Sequence, residues 1–445
     1  MIFHIDGNSF YASCERLFRP DLYKSPIAVL SNNDGIIVAA NPECKALGYK
    51  RGDVFFKVKH QMERQGVKVF SSNYTLYADM SARMNLIYNR FTPEVELYSI
   101  DESFLFFPDW KNTDYTAIGH EIKKTVTKET GLPVAVGIAP SKTLAKLCNK
   151  LAKKHGGVCN WQELNQDETL SKYPVGDIWG IGFSKTAVLK RQGIHTALDL
   201  KNCPLHKAKK LLTITGFRTV QELNGIQAIG KIENTSRQAV MVSRSFQSPV
   251  YELADITAAL AEYTQEAVKR IREERLLCRF ISVYLMTNAY AEGEQYFNQL
   301  TAELPYPSAY LPLITSAANE LLKRIYRPGY KYRKVMIGLT GLDNDDKPQL
   351  DLFDTQCNRS KINEPLMQAF DKINEKYGRG TIKLACSLPS VKSKIPIASD
   401  VVFEKQKHQS EKTTRKLILQ TPYLLKRDYL SPSYTTNIAD IPVVY

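Results

Sequence analysis

The sequence lacks the patterns that hold zinc or a disulfide framework. Its eight cysteines form no C-x-x-C pair and are irregularly spaced, and its seven histidines form no H-E-x-x-H motif. Zinc sites and disulfide-stabilised folds both depend on regular spacings of these residues. We therefore expect reduced thiols and no zinc chemistry.

Long apolar segments are also missing. The longest apolar runs, such as residues 280–286, are far shorter than a membrane span. The first residues contain no basic region followed by an apolar stretch and a cleavage site. We therefore expect no membrane partner, no signal peptide and a cytoplasmic location.

The sequence contains fewer acidic than basic residues. The 445 residues include 60 Lys and Arg against 46 Asp and Glu, which gives a formal net charge of +14. A basic excess of this size favours a polyanionic partner, of which nucleic acid is the commonest. A chain of this length exceeds one compact core and predicts two to four domains.

The order of apolar segments predicts a multi-domain α+β protein. Short strands alternate with helices as far as residue 165, which indicates a sheet covered by helices. Residues 166–229 read as short helices broken by glycine. Residues 240–342 follow the order β-α-β-β-α-β, which is typical of a ferredoxin-like domain. From residue 343 the core pattern fades into a tail.

Three carboxylates end two of the predicted strands. Asp6 follows the first apolar strand, and Asp101 and Glu102 follow a strand of alternating pattern. Magnesium prefers hard oxygen ligands, and a two-metal site needs carboxylates that converge from separate strands. Asp101 and Glu102 can share such a site only if the chain bends between them. The alternative is that all three are ordinary turn or cap residues.

A helix start follows the first carboxylate. Gly7 precedes a helix predicted to begin at Ser9 and end at Leu17, whose free N–H groups could cradle a triphosphate. Phe10 and Tyr11 would lie beside that cradle, where a ring under the sugar could exclude a 2′-OH. The alternative is that both rings belong to the core.

A lysine-rich helix is predicted over residues 142–154. Its lysines recur every three or four residues with no acidic residue between 141 and 157, so like charges share one face. A polyphosphate or nucleic acid would relieve that repulsion. We assign Lys146 of this face to DNA binding.

Two further segments indicate macromolecular partners. Gly180 and Gly182 form the Gly-x-Gly turn of a helix-hairpin-helix element, and Lys185 follows on the next helix, an arrangement that binds a DNA phosphate. The second segment lies in a polar stretch, where its apolar side chains would dock on a partner or fold back on their own domain. Its candidate partner-binding residues are Gln349, Leu350, Leu352 and Phe353.

The motifs closely resemble those of the Y-family DNA polymerases. The segments that carry the resemblance are DGNSFYASCE at 6–15, YSIDESF at 98–104, VGIAPSKTLAK at 136–146 and WGIG at 179–182. Three others resemble the UmuC branch, the catalytic subunits of bacterial DNA polymerase V: SNNDG at 31–35, SSNYTLYADMS at 71–81 and LSPSYTT at 430–436. The resemblance covers residues 1 to about 388 and resumes near residue 424.

The resemblance implies an error-prone DNA-templated DNA polymerase that crosses damaged template in the SOS response. It implies a right hand, whose parts in this sequence are a palm (1–18 and 76–165), small fingers (19–75), a helical thumb (166–236), a ferredoxin-like little finger (240–342) and a C-terminal tail (343–445). The implied partners are primer-template DNA, dNTP, a sliding clamp, a processed UmuD-like dimer and RecA. The implied location when active is the nucleoid.

The resemblance also implies roles for single residues. Asp6, Asp101, Glu102 and the Gly7 carbonyl would bind two Mg²⁺ ions. Tyr11 would be the steric gate, beside Ser9 and Phe10 in the nucleotide site, and Lys45 and Lys153 would contact the triphosphate. Residues 349–353 would bind the clamp.

Three features depart from the family pattern. Pro42 stands where other branches place a phosphate-binding tyrosine, and Lys45 replaces an arginine, which exchanges a fork of donors for a point charge. A basic insertion occupies residues 389–423 and has no assigned role.

Two other functions compete with the polymerase. A non-catalytic DNA-binding scaffold that recruits the clamp and RecA would leave the three carboxylates without a role. A palm-fold nucleotide cyclase would use the same carboxylates on a free nucleotide, but needs no helix-hairpin-helix. Primer extension by the purified protein would separate all three.

Overall fold

The structure is a computed structural model in which the chain forms two compact units. One contains Met1–Glu233 together with Arg427–Tyr445, and the other contains Asn234–Lys426. No helix among the described residues is both long and apolar enough to cross a membrane. The described residues are 1–108, 110, 112–231, 237–344, 358–378, 380–388, 427–432 and 434.

The first unit contains two sheets and ten helices within its described residues. Its strands are β1 (Ile2–Gly7), β2 (Ile27–Leu30), β3 (Ile37–Ala40), β4 (Lys68–Ser71), β5 (Val95–Leu97), β6 (Glu102–Phe106), β7 (Val134–Ala139) and β8 (Val158–Asn160). Its helices are α1 (Phe10–Leu17), α2 (Pro42–Ala46), α3 (Phe55–Arg64), α4 (Tyr74–Tyr88), α5 (Tyr115–Thr130), α6 (Lys142–Ala152), α7 (Gln166–Lys172), α8 (Phe183–Arg191), α9 (Ala197–Lys201) and α10 (Leu205–Leu223).

The larger sheet has the strand order β5-β6-β1-β7-β8, with β1 at its centre. Strand β1 is antiparallel to both neighbours, and only β7 and β8 run parallel. All six residues of β7 are buried, because helices cover both faces of this strand. Helix α5 packs on the face of Val136 and Ile138, where Gly119 gives it room. Helix α6 packs on the opposite face, at Gly137.

The smaller sheet has the order β3-β2-β4 and forms its own core with α2 and α3. Strand β2 is antiparallel to β3 and parallel to β4. Strand β4 is an edge strand, and Leu430 from the end of the chain pairs with its last residue, Ser71. This contact corrects part of the predicted tail, because the described residues near 430 belong to the first unit.

Helices α7 to α10 share a core with the larger sheet. Leu170, Ile178 and Leu212 lie in one buried cluster with Ile2 and Phe104 of the sheet. The composition change near residue 166 therefore does not mark a separate hydrophobic core.

The second unit is a four-stranded antiparallel sheet with helices on one face. The elements are β9 (Ala239–Val250), α11 (Leu253–Glu273), β10 (Leu276–Thr287), β11 (Phe297–Ser308), α12 (Leu311–Ile325), β12 (Tyr332–Asn344) and α13 (Asn358–Tyr377). The order of elements along the chain confirms the predicted β-α-β-β-α-β pattern. In the sheet the strands lie in the order β11-β10-β12-β9, so β12 lies between β10 and β9. Ile281, Val283 and Leu285 alternate inward beneath the helices.

Helix α13 extends this unit beyond the predicted boundary at residue 342. Met367 and Phe370 are buried in the unit's core, and Arg272 of α11 makes two 2.7 Å hydrogen bonds to the carboxylate of Asp371. The prediction of a tail from residue 343 is therefore wrong for residues 358–388. The spacing of apolar residues did not predict this helix, because its apolar face is narrow and because Pro365 lies within the helix.

Candidate active site

The three predicted carboxylates lie at one end of the larger sheet. Strands β1 and β6 are neighbours, and their register places Asp6 directly opposite Glu102. The Gly7 N–H donates to the Asp101 carbonyl over 2.9 Å, which brings Asp101 to the same place. The chain therefore brings together carboxylates that are almost a hundred positions apart in sequence.

A bend before β6 separates Asp101 from Glu102. The Ser99 hydroxyl accepts from the Glu102 N–H at 3.1 Å and donates to Asp101 Oδ1 at 2.7 Å. Residues 99–101 form a bend rather than extended strand. This local hydrogen bonding is the turn chemistry that serine favours, and it supplies the bend that two adjacent carboxylates need to share a site.

Two of the three carboxylates form ion pairs with lysine side chains. Lys153 Nζ lies 2.6 Å from Asp6 Oδ1, and Lys146 Nζ lies 3.0 Å from Glu102 Oε2. Among the residues that the structure describes, no group of three or more His, Cys, Asp or Glu side chains is arranged as a ready metal cage. The lysines balance negative charge that a divalent cation would otherwise neutralise.

The donor set fits a hard cation. Burial raises the pKa of Asp6 to about 6, against the pull of Lys153, and the charges of Glu102 and Asp101 add to the rise. Carboxylates crowded in this way repel each other, and divalent ions with oxygen preference relieve that repulsion. The arrangement of Asp6, Asp101 and Glu102 is therefore chemically suited to Mg²⁺.

The raised pKa of Asp6, about 6, predicts pH-dependent cation binding. Below this pH a proton occupies the carboxylate, so Mg²⁺ affinity should fall by up to about tenfold per pH unit and should level off above it. Isothermal titration calorimetry with MgCl₂ across this range measures the effect. Asp6→Asn, which cannot take up this proton, should bind Mg²⁺ more weakly and without this pH dependence; a wild-type affinity that is unchanged across this range would contradict the assignment.

Glycine holds the lysine-rich helix against the sheet. A Cβ on Gly137 of β7 would collide with the backbone of Ala145 and Asn149 in α6. The Asn149 side chain completes the attachment by donating to the carbonyls of His4 at 3.0 Å and Ala135 at 2.7 Å. This close approach places the last turns of α6 over the end of β1, where Asp6 lies.

The lysine face of α6 is paired with acidic residues from other elements. Lys142 is fully buried and donates to both oxygens of Glu96 in β5, and Lys150 lies 2.9 Å from Asp177. With Lys146 and Lys153 bound to the active-site carboxylates, four lysines of the face have partners. These acidic partners relieve the repulsion between the lysines. The local sequence did not indicate them, because they lie far away along the chain.

Lys146 lies in an aromatic cage. Its ammonium group is 4.2 Å from the ring centre of Tyr98 and 5.2 Å from that of Trp179, and its side chain is only 12% exposed. Trp179 also donates to the Tyr98 hydroxyl over 3.2 Å. The predicted DNA contact therefore has little open surface. The cage instead connects the Gly-x-Gly hairpin to the bend that carries Asp101.

The predicted nucleotide residues cluster at the start of α1. Ser9 has a left-handed backbone (φ 47°), and its hydroxyl donates to the Ala40 carbonyl at 3.0 Å. Lys45 Nζ lies 3.4 Å from the same hydroxyl. Pro42 begins α2, where its fixed φ suits a first helical position. Lys45 is thus the cation that α2 presents at this point.

The two aromatic residues of the motif have different surroundings. The Tyr11 ring is half-buried and stacks on Tyr77 at 4.3 Å with 12° between planes, while Tyr74 meets it edge-on at 6.0 Å. Phe10 is 3% exposed and lies in the core beneath Gly7. Of the two rings, Tyr11 is the one with a surface available to a nucleotide.

The hairpin glycines have open surroundings. Gly180 has φ +82°, which favours glycine, whereas Gly182 caps α8 in an extended conformation, and a Cβ at either position would meet no atom within 4 Å. Lys185 Nζ donates to the Gly180 carbonyl at 3.0 Å and Thr215 at 3.2 Å. The backbone of this turn is therefore accessible to a ligand. The predicted clamp segment, 349–353, and the basic insertion, 389–423, lie outside the described residues.

The sequence prediction misses three residues around the site. His4 is buried, with Nε2 3.6 Å from Glu102 Oε1, and burial lowers its pKa well below the usual value. Tyr77 supports Tyr11 from α4, and Trp179 closes the lysine cage. The alternation of β1 indicates that His4 and Asp6 share one face, which was the available sign for His4.

Comparison with known proteins supports one family. The chain matches the family model "impB/mucB/samB family" over residues 5–150 and that family's C-terminal domain over residues 237–352. Residues 364–389, which include most of α13, match a domain of unknown function. These matches cover both units of the molecule.

Curated relatives match nearly the whole chain. UmuC of Salmonella typhimurium (strain LT2) is 37% identical over 444 residues, with 98% of each chain covered. MucB of Escherichia coli is 37% identical over 449 residues, covering 99% of this chain and 98% of that one. DNA polymerase IV 1 of Bacillus subtilis (strain 168) is 30% identical over 434 residues, covering 93% and 98%.

Solved structures show the same fold at lower identity. A Y-family DNA polymerase chimera, Dbh-Dpo4(243-245)-Dbh, is 20% identical with a TM-score of 0.63, covering 77% of this chain and 99% of that one. The Dbh polymerase in an insertion ternary complex has a TM-score of 0.52 at 18% identity. The chain therefore belongs to the impB/mucB/samB family, in the branch of UmuC and MucB, and has the fold of the Y-family DNA polymerases.

Proposed function

We propose that this protein is an error-prone DNA-templated DNA polymerase that extends primers across damaged template during the SOS response. One observation carries the proposal: the register of β1 and β6 places Asp6 opposite Glu102, with Asp101 joined to Gly7 through the backbone. Family membership and the polymerase fold support the same activity.

Asp6, Asp101, Glu102 and the Gly7 carbonyl would hold two Mg²⁺ ions. When bound, the ions would lower the pKa of a primer hydroxyl and neutralise charge on the nucleotide phosphates. Lys153 must then leave Asp6. Lys153 is 37% exposed, so it can turn towards a triphosphate, whereas Lys146 is held by its aromatic cage.

The start of α1 would bind and orient the nucleotide. Lys45 and Lys153 approach this point from two different elements and would contact the triphosphate. The Tyr11 ring would lie against the sugar, where a 2′-OH would collide with it. Tyr77 prevents Tyr11 from moving away, because the two rings are stacked. The pocket would therefore select deoxynucleotides by shape.

Low fidelity would follow from the size of the smaller sheet. We assign residues 19–75, which include this sheet, α2 and α3, as the fingers. A three-stranded sheet with short helices encloses little of a nascent base pair. When enclosure is slight, a mismatched or damaged pair loses few contacts, so discrimination is weak.

The remaining regions would hold DNA and protein partners. We assign 1–18 and 76–165 as the palm, 166–236 as the thumb, and 240–342, extended by α13, as the little finger. The clamp would bind residues 349–353, and a processed UmuD-like dimer and RecA would act with the polymerase at the nucleoid. The basic composition of the chain suits primer-template DNA.

Primer extension tests the proposal directly. A labelled primer on a template with an abasic site, together with dNTPs and Mg²⁺, should be extended past the lesion, alone or with clamp, UmuD-like partner and RecA. DNA binding without extension under all conditions would favour the scaffold. Consumption of free nucleotide without primer would favour the cyclase.

The hairpin allows a separate test of DNA binding. Gly182→Ala fits the fold, since its φ of −84° suits alanine and the Cβ meets no atom within 4 Å. We expect stability to be unchanged and DNA affinity to fall about tenfold, because the added methyl group keeps a phosphate from approaching the backbone N–H groups of the turn. Fluorescence anisotropy with labelled primer-template measures the affinity. Ser171→Ala on exposed α7 is the control; equal affinity of both variants would remove the hairpin from the DNA interface.

A further inference from the structure

Three segments that supply no proposed metal ligand or triphosphate contact meet in space. They are SNNDG at 31–35, SSNYTLY at 71–77 and the stretch 427–434 near the end of the chain. The described residues of the last stretch, 427–432 and 434, are called the strap below. The strap lies against β4 and α1, although more than 350 residues separate it from either element.

A buried carboxylate anchors the beginning of the strap. Asp34 is 6% exposed and accepts hydrogen bonds from the Ser71 hydroxyl at 2.7 Å and the Asp428 N–H at 2.8 Å. Asn33 and Asp34 both have positive φ, a conformation that asparagine and aspartate adopt more readily than most residues. The SNNDG turn is therefore shaped to present the Asp34 carboxylate to the strap.

The middle of the strap covers the exposed edge of β4. The Ser71 N–H donates to the Tyr429 carbonyl at 2.9 Å, the Tyr429 N–H donates to the Ser71 hydroxyl at 3.0 Å, and Leu430 pairs with Ser71 as a parallel bridge. The Tyr429 ring meets Phe55 edge-on at 5.7 Å. The strap thus supplies partners to an edge strand that would otherwise be unpaired at this point.

The end of the strap reaches the support of Tyr11. The Ser431 hydroxyl accepts from the Asn73 amide at 2.9 Å, and Asn73 Oδ1 caps the start of α4 by accepting from the Leu76 N–H at 3.2 Å. Tyr77 of this helix donates its N–H to the Asn73 carbonyl at 3.1 Å, and its ring stacks on Tyr11. Tyr434 stacks on Phe18 at 4.6 Å, just beyond the end of α1.

We propose that the strap is a positioning element for sugar selection: Ser431 holds Asn73, Asn73 fixes the start of α4, and Tyr77 of α4 holds the Tyr11 ring at the nucleotide site. Ser431 touches no substrate and acts through the other three residues. The end of the chain, which the sequence predicts as part of a tail, would thereby help to choose between ribonucleotide and deoxynucleotide. The selectivity role rests on the proposed polymerase function, whereas the docking of the strap does not.

Hydrogen exchange tests the docking without any catalysis. In the intact protein the amides of Ser71, Asp428 and Tyr429 should be protected, because each donates to a defined acceptor. Asp34→Ala should abolish the protection at Asp428. Exchange of the strap amides at the unprotected rate in the wild-type protein would overturn the proposal.

Nucleotide competition tests the positioning role. Ser431→Ala should raise the ratio of ribonucleotide to deoxynucleotide incorporation about fivefold, the effect of losing one hydrogen bond of typical strength. Ser431→Thr, which keeps the hydroxyl, should restore the wild-type ratio, and Ser171→Ala on exposed α7 should not change it.

The outcomes separate the two proposals. An unchanged ratio in Ser431→Ala, with normal extension, would overturn the positioning role and leave the polymerase intact. A wild-type protein that extends no primer would overturn the proposed function and the selectivity role together, while the exchange data would still decide whether the strap docks.

Discussion

Replacement of Asp101 by asparagine is expected to abolish primer extension while DNA binding is retained. The substitution removes one negative charge from the carboxylate cluster and leaves the side chain's shape nearly unchanged. Loss of a metal ligand costs several kcal/mol of transition-state stabilisation, so kcat should fall about a thousandfold or more. Single-nucleotide insertion kinetics and anisotropy on the same primer-template measure both properties.

The matched control is Asp167→Asn. The Asp167 side chain is 71% exposed and pairs only with Lys201 at the surface, so its loss should leave kcat unchanged. Normal extension by Asp101→Asn would contradict the assignment of Asp101 to the metal site. Loss of DNA binding in that variant would indicate instead that Asp101 stabilises the protein's DNA-binding form.

Replacement of Tyr11 by alanine is expected to admit ribonucleotides. The Tyr11 ring is the only one of the motif's two aromatic side chains with an open face, so its removal leaves room for a 2′-OH. We expect the preference for deoxynucleotides, taken as the ratio of kcat/KM values, to fall about a hundredfold. Tyr11→Phe keeps the ring and should retain most of the preference.

The control for this variant is Tyr290→Ala. Tyr290 is 98% exposed on the loop between β10 and β11, so its loss removes a tyrosine without altering the nucleotide site. Equal selectivity of wild type and Tyr11→Ala would assign the discrimination to another residue, of which Tyr74 is the nearest candidate.

The three candidate metal ligands could be selected from sequence because strand ends are local features. Asp6 ends an apolar strand, and the change of pattern around Glu102 indicates the bend that Ser99 provides. The pairing of β1 with β6 could not be derived from either segment alone. It came from the resemblance, and the register then made Asp6 and Glu102 direct neighbours.

The lysines show where local pattern misleads. A helix face with no acidic neighbour in sequence predicts a polyanionic ligand, yet Glu96, Glu102, Asp177 and Asp6 supply partners from other elements. Two of these partners are the proposed metal ligands. Contact with a phosphate remains a prediction for Lys153, whose ion pair with Asp6 would end when cations bind. Lys142 is buried in an ion pair with Glu96 and has no surface for a phosphate.

The C-terminal region was the least predictable part of the chain, because its contacts are also with residues that lie far away in the sequence. Met367 and Phe370 of α13 complete a core whose other members lie up to 130 residues earlier, and Ser71 receives its strand partner from residue 430. Neither contact produces a regular spacing of apolar residues in its own segment, so the local sequence pattern could not predict it. Only the shared resemblance of 31–35, 71–81 and 430–436 to one branch hinted that these stretches act together.

A crystal structure with primer-template DNA, an incoming dNTP and Mn²⁺ tests the central claim most directly. Anomalous scattering should show manganese between Asp6, Asp101 and Glu102, with Lys153 turned away from Asp6 towards the triphosphate. Manganese bound elsewhere, with Lys153 still paired to Asp6 in a complex competent for extension, would contradict it.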